Sequence, residues 1–462
     1  MFFKLKRFTA VISILLCLTF GIQMSGIALE QKEAEEFAYQ KELSFLTKLG
    51  IIDEISFDAS KELTRGEACS VVVKMMHGED DFAASRERYF VDVPEEHRYF
   101  DAVSDAARLG IINGCDNSYF MPESPITYMQ LYKMLIVALG YSDAAELSGG
   151  YPAGYLKYTQ NLKINDKIKK KGDENVSWAD AVILIFTALD TDLCVVEKLT
   201  DSVEYAVRKD ETLLSEVFNI YGTSGIMTDT PISGLATAYS SLQSGNVIIG
   251  GEIYADATSA DYENIGRYVK VYYIEKEGDL KRAFLITPDD KRNTERVINA
   301  HDIIDFDEKS NKYTILDKNN DSEVIAISKS ADVLVNEKAC PGYTKSDMVP
   351  KSGEVYLIDN NKDDKYDVVK VTSYEHYVVS HIDTINGIVY AKNRLDTLIL
   401  DDEDKDLLVS LNGTQDAFSL SSLEKDTVVS VAISKVGVTK KASCDPQPTA
   451  VQAGLYARKL LQ

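Results

Sequence analysis

Leu46-Thr-Lys-Leu-Gly-Ile-Ile52 with Leu63-Thr-Arg-Gly-Glu67, and Ala106-Ala-Arg-Leu-Gly-Ile-Ile112 with Ile126-Thr-Tyr-Met-Gln130, are two copies of one pattern; a worn third copy ends in Val176-Ser-Trp-Ala-Asp180. Each copy reads as an apolar helix closing in a leucine-rich turn, a short loop, and a second apolar helix with a capped start. Units repeated in this way cannot bury a core alone and must pack against one another, so the repeat sets the architecture of the first part of the chain.

The second helix of each copy begins with the same device. Thr64 stands three residues before Glu67, Thr127 three before Gln130, and Ser177 three before Asp180. This is the capping-box spacing, in which the hydroxyl accepts from a free backbone N–H of the first turn and the acid or amide reaches back. Apolar runs follow: Val71 to Met76, Leu131 to Leu139, and Ala181 to Leu189. A helix start with unpaired N–H groups also suits an anion, and Arg65 at the first helical position of the first copy would add a bidentate grip on a carboxylate or phosphate.

Lys4, Lys6 and Arg7 precede an apolar run from Phe8 to about Phe20, and Gly26-Ile-Ala28 supplies small residues for cleavage. This is the build of a secretory signal peptide over residues 1–28, and no second long apolar stretch follows it. Leu16 before Cys17 is too bulky for a lipidation site. The net charge of -23 repels nucleic acid and anionic lipid, so an anionic partner needs a local basic site. Cys69, Cys115, Cys194, Cys340 and Cys444 are far apart and form no CxxC pair, which argues for buried thiols rather than a disulfide framework or a zinc site.

Beyond about residue 200 the pattern changes to short strands rich in Val, Ile and Tyr, separated by Gly, Asn and Asp. Hairpins are predicted around Gly278-Asp279, Asp307 to Lys312, Asp359 to Asp367, and Asn386-Gly387. Residues from about Leu213 to Ala238 are expected to hold a helix or two joining the halves. The fold class is therefore α+β and multidomain, with helical repeats followed by antiparallel β-rich domains. Asp359, Asn361, Asp363 and Asp367 alternate at a spacing that suits a hard cation such as calcium, but the glycine usual at the bend is Asp364, and polar hairpin turns give the same pattern. Asp317 to Asp321 and Asp401 to Asp404 are weaker versions. His77, His97, His301, His376 and His381 join no HExxH, GxSxG, Walker or zinc-ligand motif, and the spacing of His376 and His381 puts them on opposite faces of a strand.

Phe90-Val-Asp-Val-Pro-Glu-Glu-His97, Leu109-Gly-Ile-Ile-Asn-Gly114, Phe120-Met-Pro122 and Ile126-Thr127 resemble the S-layer homology (SLH) repeat of bacterial surface proteins. Leu63-Thr-Arg-Gly-Glu67 resembles the hallmark Thr-Arg-Ala-Glu motif, and Gly150-Tyr-Pro-Ala-Gly-Tyr-Leu156 the opening of a third repeat in clostridial members. The stretch from Gly353 to Asn361 is similar to the β-rich region that follows such repeats. The resemblance covers about residues 34 to 195 and, with the change of pattern near residue 200, divides the chain into repeats at 29–80, 88–142 and 148–197, a connecting segment with helices at 198–245, and a β-rich region at 246–462 of one or two small domains.

The resemblance implies a pseudo-threefold helical unit whose grooves bind secondary cell-wall polysaccharide, often pyruvylated, without a covalent bond. The expected polysaccharide-binding residues are Thr64, Arg65, Glu67, Asp92, Tyr128 and Trp178. Arg65 would read the acidic ketal; Asp92 reads as a loop or capping residue that also lines a groove. Tyr128 and Trp178 replace the hallmark arginine in the second and third repeats, where they could stack on sugar rings or pack between prongs. Arg98 stands where the family has an aromatic residue. The resemblance implies an extracellular, wall-attached protein with no cofactor unless calcium binds, and it leaves room for self-assembly. Two function classes follow: a non-enzymatic surface protein displaying its β region, or a wall-anchored polysaccharide hydrolase or glycan-binding protein.

Overall fold

The computed structural model describes residues 39–53, 57–78, 87–115, 118–199, 202–238, 240–276, 278–395, 397–399, 407–411, 423–433 and 440–445. The expected signal peptide and the acidic run 401–404 lie outside them. The chain divides into two compact units, Met1–Tyr221 and Gly222–Gln462. Among the described residues no helix is long and apolar enough to cross a membrane.

The first unit holds α1 (Gln40–Lys48), α2 (Arg65–His77), α3 (Phe100–Arg108), α4 (Tyr128–Ala138), the short α5 (Ser142–Leu147), α6 (Ala153–Asn161) and α7 (Trp178–Leu189). Helices α1, α3 and α6 end alike. Leu49, Leu109 and Leu162 are their C-caps, and the next residue turns left-handed at φ 70° in Gly50, 71° in Gly110 and 58° in Lys163. The turn lets Ile51, Ile111 and Ile164 donate back to the carbonyls of Leu46, Ala106 and Thr159, closing the helix end and driving each isoleucine into the core.

The segments entering α2, α4 and α7 meet in a ring. Leu63 N–H donates to Val176 O (2.8 Å), Val176 N–H to Ile126 O (2.9 Å), and Ile126 N–H to Leu63 O (2.9 Å). All three side chains are buried. Three backbone bonds running head to tail, each between different copies of the pattern, tie distant segments into one core.

A two-stranded ribbon of β1 (Asp192–Leu199) and β2 (Ser202–Thr212) and the helix α8 (Leu213–Phe218) complete the segment after α7. Where helices are expected from about Leu213 to Ala238, α8 is the one helix found, and β3 (Ile220–Asp229) follows it. In the second unit β3 closes a barrel with β4 (Val247–Ile249), β5 (Glu252–Ala255), β6 (Tyr268–Ile274) and β7 (Lys281–Pro288), in the order β3-β4-β5-β7-β6. Met227, Val247, Ile249, Tyr254, Val269 and Val271 fill it.

A second sheet has β8 (Thr294–Asn299), β9 (Ile303–Asp307), β10 (Lys312–Leu316), β11 (Ser322–Val335), β12 (Lys338–Ala339), β13 (Gly353–Asp359) and β14 (Tyr366–Ser373), and the short helix α9 (Lys345–Met348) precedes β13. A third holds β15 (Glu375–Asp383), β16 (Ile388–Ala391), β17 (Thr397–Ile399), β18 (Leu407–Leu411), β19 (Val428–Ile433) and β20 (Lys440–Asp445). The four expected hairpins are present as β6–β7, β9–β10, β13–β14 and β15–β16.

The sheets are mixed rather than purely antiparallel: β5 pairs with β7, β11 with β14 and β18 with β20 in parallel. The cause at β11 is its length. Its first part pairs with β10, a register shift between Ile327 and Asp332 follows, and its second part takes β14 as a parallel neighbour across a long connection. The buried-thiol expectation holds for Cys69 and Cys194; Cys340 is half-buried and Cys115 exposed. Burial pushes the Cys69 thiol up to about 12, so it is inert.

Candidate polysaccharide-binding groove

The helix starts are not free anion sites. Arg65 and Gly66 N–H donate to Ser124 O and Pro122 O at 2.9 and 2.8 Å. Tyr128 and Met129 donate to Glu174 O and Gly172 O, and Trp178 and Ala179 to Lys61 O and Ala59 O. Each start is thus seated in the loop of another copy of the pattern. The third N–H goes to the capping hydroxyl: Glu67 N–H to Thr64 Oγ1, Gln130 N–H to Thr127 Oγ1, and Asp180 N–H to Ser177 Oγ. The donors that an anion would need are therefore spent on assembly, and a ligand must be read by side chains.

Thr64 and Glu67 form a complete capping box, with Thr64 N–H donating to Glu67 Oε2 at 2.8 Å. Lys61 Nζ donates to Glu67 Oε1 at 3.1 Å. Burial raises the Glu67 pKa, but the bonds from Thr64 and Lys61 outweigh it and leave it below the usual carboxylate value. Both residues build the helix start, and neither lines the cavity beside it. Asp92 is likewise engaged: its two oxygens accept from Phe120 N–H (2.8 Å) and Met121 N–H (2.7 Å), clamping the loop that carries Phe120.

Arg65 lies against that loop. Its Nε donates to Phe120 O at 2.9 Å, and its guanidinium carbon stands 4.6 Å from the centre of the Phe120 ring. The guanidinium lines a cavity of 270 Å³ with Ile111, Ile126, Phe120, Lys133 and Tyr151, the last 50% exposed. Among the described residues no carboxylate pairs with Arg65. A cation held by a carbonyl and an aromatic face, over an apolar floor, can take a carboxylate bidentately while the floor receives ring carbons.

The equivalent positions differ. Tyr128 is 1% exposed, and its hydroxyl donates to Asp180 Oδ2, so the expectation that it could stack on sugar gives way to packing between copies. Asp180 accepts from Tyr128, and the third helix start lacks the reciprocal half of the box. Trp178 is half-buried, edge-on to Phe57 at 6.0 Å, and Phe57 in turn contacts Tyr39 at 5.8 Å. These three partly exposed rings form an aromatic surface.

Gly66 stands where the hallmark motif has alanine, and Tyr99 accounts for it. A Cβ on Gly66 would lie 2.2 Å from the Tyr99 ring, which occupies the space an alanine there would need. The Arg98 guanidinium carbon stands 4.5 Å from the centre of the Tyr99 ring, and Arg98 pairs with Glu123 at 2.6 Å. His97 also faces Glu123, at 3.7 Å, and its Nδ1 accepts from Tyr99 N–H at 3.2 Å.

Neither Lys133 nor Tyr151 was among the expected binding residues, although Tyr151 lies within the Gly150–Leu156 stretch that resembles a repeat opening. Lys133 had a signal: it is the one charged residue of α4, within Tyr128-Met-Gln-Leu-Tyr-Lys-Met-Leu-Ile-Val-Ala138.

In the second unit, Asp359, Asp363 and Asp367 bring one carboxylate oxygen each within 4.8 Å of one another. Asp359 Oδ1 accepts from Asn361 and Lys362 N–H, Asp367 Oδ2 from Asn360 N–H, and Asn361 Oδ1 from Asp363 N–H. Asp364 adopts the left-handed φ of 63° that a glycine would supply. These carboxylates are acceptors of a tight β13–β14 turn, and burial together with the neighbouring Asp363 and Asp359 raises the pKa of Asp367. His376 and His381 form no cluster: the first bonds Ser430 and Ser352, and the second stacks on Tyr390.

The chain thus joins a helical unit, in which Arg65 and Lys133 line one cavity, to a β-rich unit. The chain matches the S-layer homology domain family over residues 89–131, the second copy of the pattern. It is 26% identical over 409 residues to a cell surface protein of Thermoanaerobacter kivui, covering 84% of this chain and 48% of that protein. It is also 26% identical over 192 residues to a surface layer protein of Brevibacillus choshinensis, covering 40% of this chain and 16% of that one. The chain thus spans less than half the length of these relatives. Residues 89–131 carry an S-layer homology domain, and the two relatives are named as a cell surface protein and a surface layer protein.

Proposed function

We propose that the three copies of the helical pattern are three SLH repeats forming a pseudo-threefold unit, which holds the protein non-covalently to secondary cell-wall polysaccharide. The β-rich unit is then the displayed part, a surface or S-layer component that performs no catalysis. The observation carrying this reading is Arg65: a guanidinium without a carboxylate partner among the described residues, lining an apolar-floored cavity on a protein of net charge -23. Long-range repulsion by such a protein would exclude an anionic polymer everywhere except at a local cationic site. The ring of Leu63, Ile126 and Val176 supports the threefold reading, and the names of the relatives support a surface role without enzymatic activity. An acidic substituent such as a pyruvyl ketal suits the guanidinium.

The test is sedimentation of the purified protein with wall sacculi, before and after extraction of the wall polysaccharide, beside Arg65→Ala. Binding lost on extraction and weakened by the substitution is expected. Equal pelleting by both proteins on native sacculi would move the site away from Arg65, and no pelleting would sink the anchor.

A further inference from the structure

Lys133 enters the same cavity from α4, and its surroundings are unusual for a lysine. The cavity floor around it includes Ile111, Ile126 and Met134. Its hydrogen-bond partner is neutral: with the Asn113 amide in the orientation that satisfies both of its atoms, Asn113 Oδ1 accepts from Lys133 Nζ at 3.1 Å and Nδ2 donates to Ile112 O. Among the described residues no carboxylate forms an ion pair with it. Burial pushes its pKa down, partly opposed by the charge of Glu146, which itself accepts from the Tyr155 hydroxyl. A half-buried ammonium without a counter-ion is costly, and a second cation lining the same cavity adds to that cost.

Such an arrangement becomes favourable when an anion enters, because both charges are already fixed in place. Arg65 spends one of its five N–H donors on Phe120 O, and Lys133 one of its three on Asn113, so donors of both cations remain for ligand oxygens. The volume of 270 Å³ lies at the small end of ligand pockets, which run from about 300 to 1,000 Å³, and it fits one sugar ring rather than an oligosaccharide. Exposed Tyr151 at the margin offers a flat face to that ring.

We infer that Lys133 is the second cation of the Arg65 groove, and that it holds the carboxylate of the bound sugar together with Arg65. This rests on the wall-polysaccharide reading of the groove and adds to it a second residue that grips the acidic group.

The experiment measures binding of the intact protein, Lys133→Met, Lys133→Arg and Arg65→Ala to purified sacculi, native and after carbodiimide amidation of their carboxylates. Thermal unfolding of each protein is followed in parallel. Methionine keeps the apolar stem and removes the charge. Lys133→Met is expected to bind native sacculi about tenfold more weakly, with an undiminished melting temperature, while Lys133→Arg retains most of the binding. On amidated sacculi the intact protein and Lys133→Met should bind equally weakly. Unchanged binding by Lys133→Met beside weakened Arg65→Ala would overturn this inference and leave the anchor reading standing. A loss of equal size on native and amidated sacculi would also overturn it, by marking a packing effect. Unchanged binding by both variants would overturn the reading of the groove itself.

Discussion

The helix starts at Arg65 and Tyr128 have nearly the same backbone and opposite uses. Both are capped by threonine with a complete box, both donate their first two N–H groups to the loop of another copy, and both follow a residue of the central ring. Yet the first helical side chain lines an open cavity at Arg65 and is 1% exposed at Tyr128. The repeat conserves the frame within this molecule and lets the side chain at one position decide between binding and packing.

The sharpest way to break this comparison is to truncate both side chains. Tyr128→Ala should cost about 3–5 kcal/mol, the range for removing a buried aromatic ring, because it empties a site packed beside Tyr132 and leaves Asp180 without its donor. Arg65→Ala should stay within about 1 kcal/mol, since it removes one hydrogen bond and one cation–π contact at a partly exposed site. Denaturant unfolding of the two variants checks the contrast.

Gly66→Ala restores the hallmark alanine and should nonetheless destabilise, by about 1–3 kcal/mol, because its methyl meets the Tyr99 ring. In a Tyr99→Ala background the same change should be neutral or favourable. A double-mutant cycle reads that coupling directly. At the ends of the first helices, Lys163→Gly should stabilise by about 1 kcal/mol, as Lys163 alone among Gly50, Gly110 and Lys163 holds the left-handed turn with a side chain.

The smallest effects are in pH, and the two units should respond with opposite sign. The Glu67 pKa is lowered in the folded state, so its stabilisation is present above the unfolded carboxylate value and lost as pH falls through the folded one. Asp367 is raised, so the folded state binds its proton more tightly and its destabilising charge disappears as pH falls through that raised value. Asp367→Asn should therefore raise the melting temperature of the β-rich unit near neutral pH, with the gain fading in acid. Repeating the measurement in millimolar calcium sharpens the reading of the turn: a gain that persists fits a hairpin of backbone acceptors, and a reversal to destabilisation would mark Asp359, Asp363 and Asp367 as cation ligands.

What could be read from the sequence follows the range of the interaction. Capping boxes, the leucine turns and the four hairpins are set by residues a few positions apart, and Thr64, Thr127 and Asn386-Gly387 announced them. The seating of one copy's helix start in another's loop joins Arg65 to Ser124 and Trp178 to Lys61, and nothing local marks it. That is why helix starts that looked open to an anion turn out to be occupied. The fate of Tyr128 was open for the same reason, since the choice between stacking and packing depends on Asp180, far along the chain. Parallel pairing of β11 with β14 was hidden because β11 reads as one strand and serves two neighbours. Lys133 was legible in principle, as a lone charge in an apolar helix, but its significance lies in the cavity it shares with Arg65.

The most direct test crosses the two helix starts. Sacculus binding and unfolding free energy are measured on Arg65→Ala and Tyr128→Phe together. Arg65→Ala should lose binding by about tenfold or more at little cost in stability, while Tyr128→Phe should keep its binding and lose about 1–2 kcal/mol through the unpaired Asp180 oxygen. Binding lost in Tyr128→Phe and retained in Arg65→Ala would contradict this contrast, and would place the reading of the wall polymer at the position assigned here to packing.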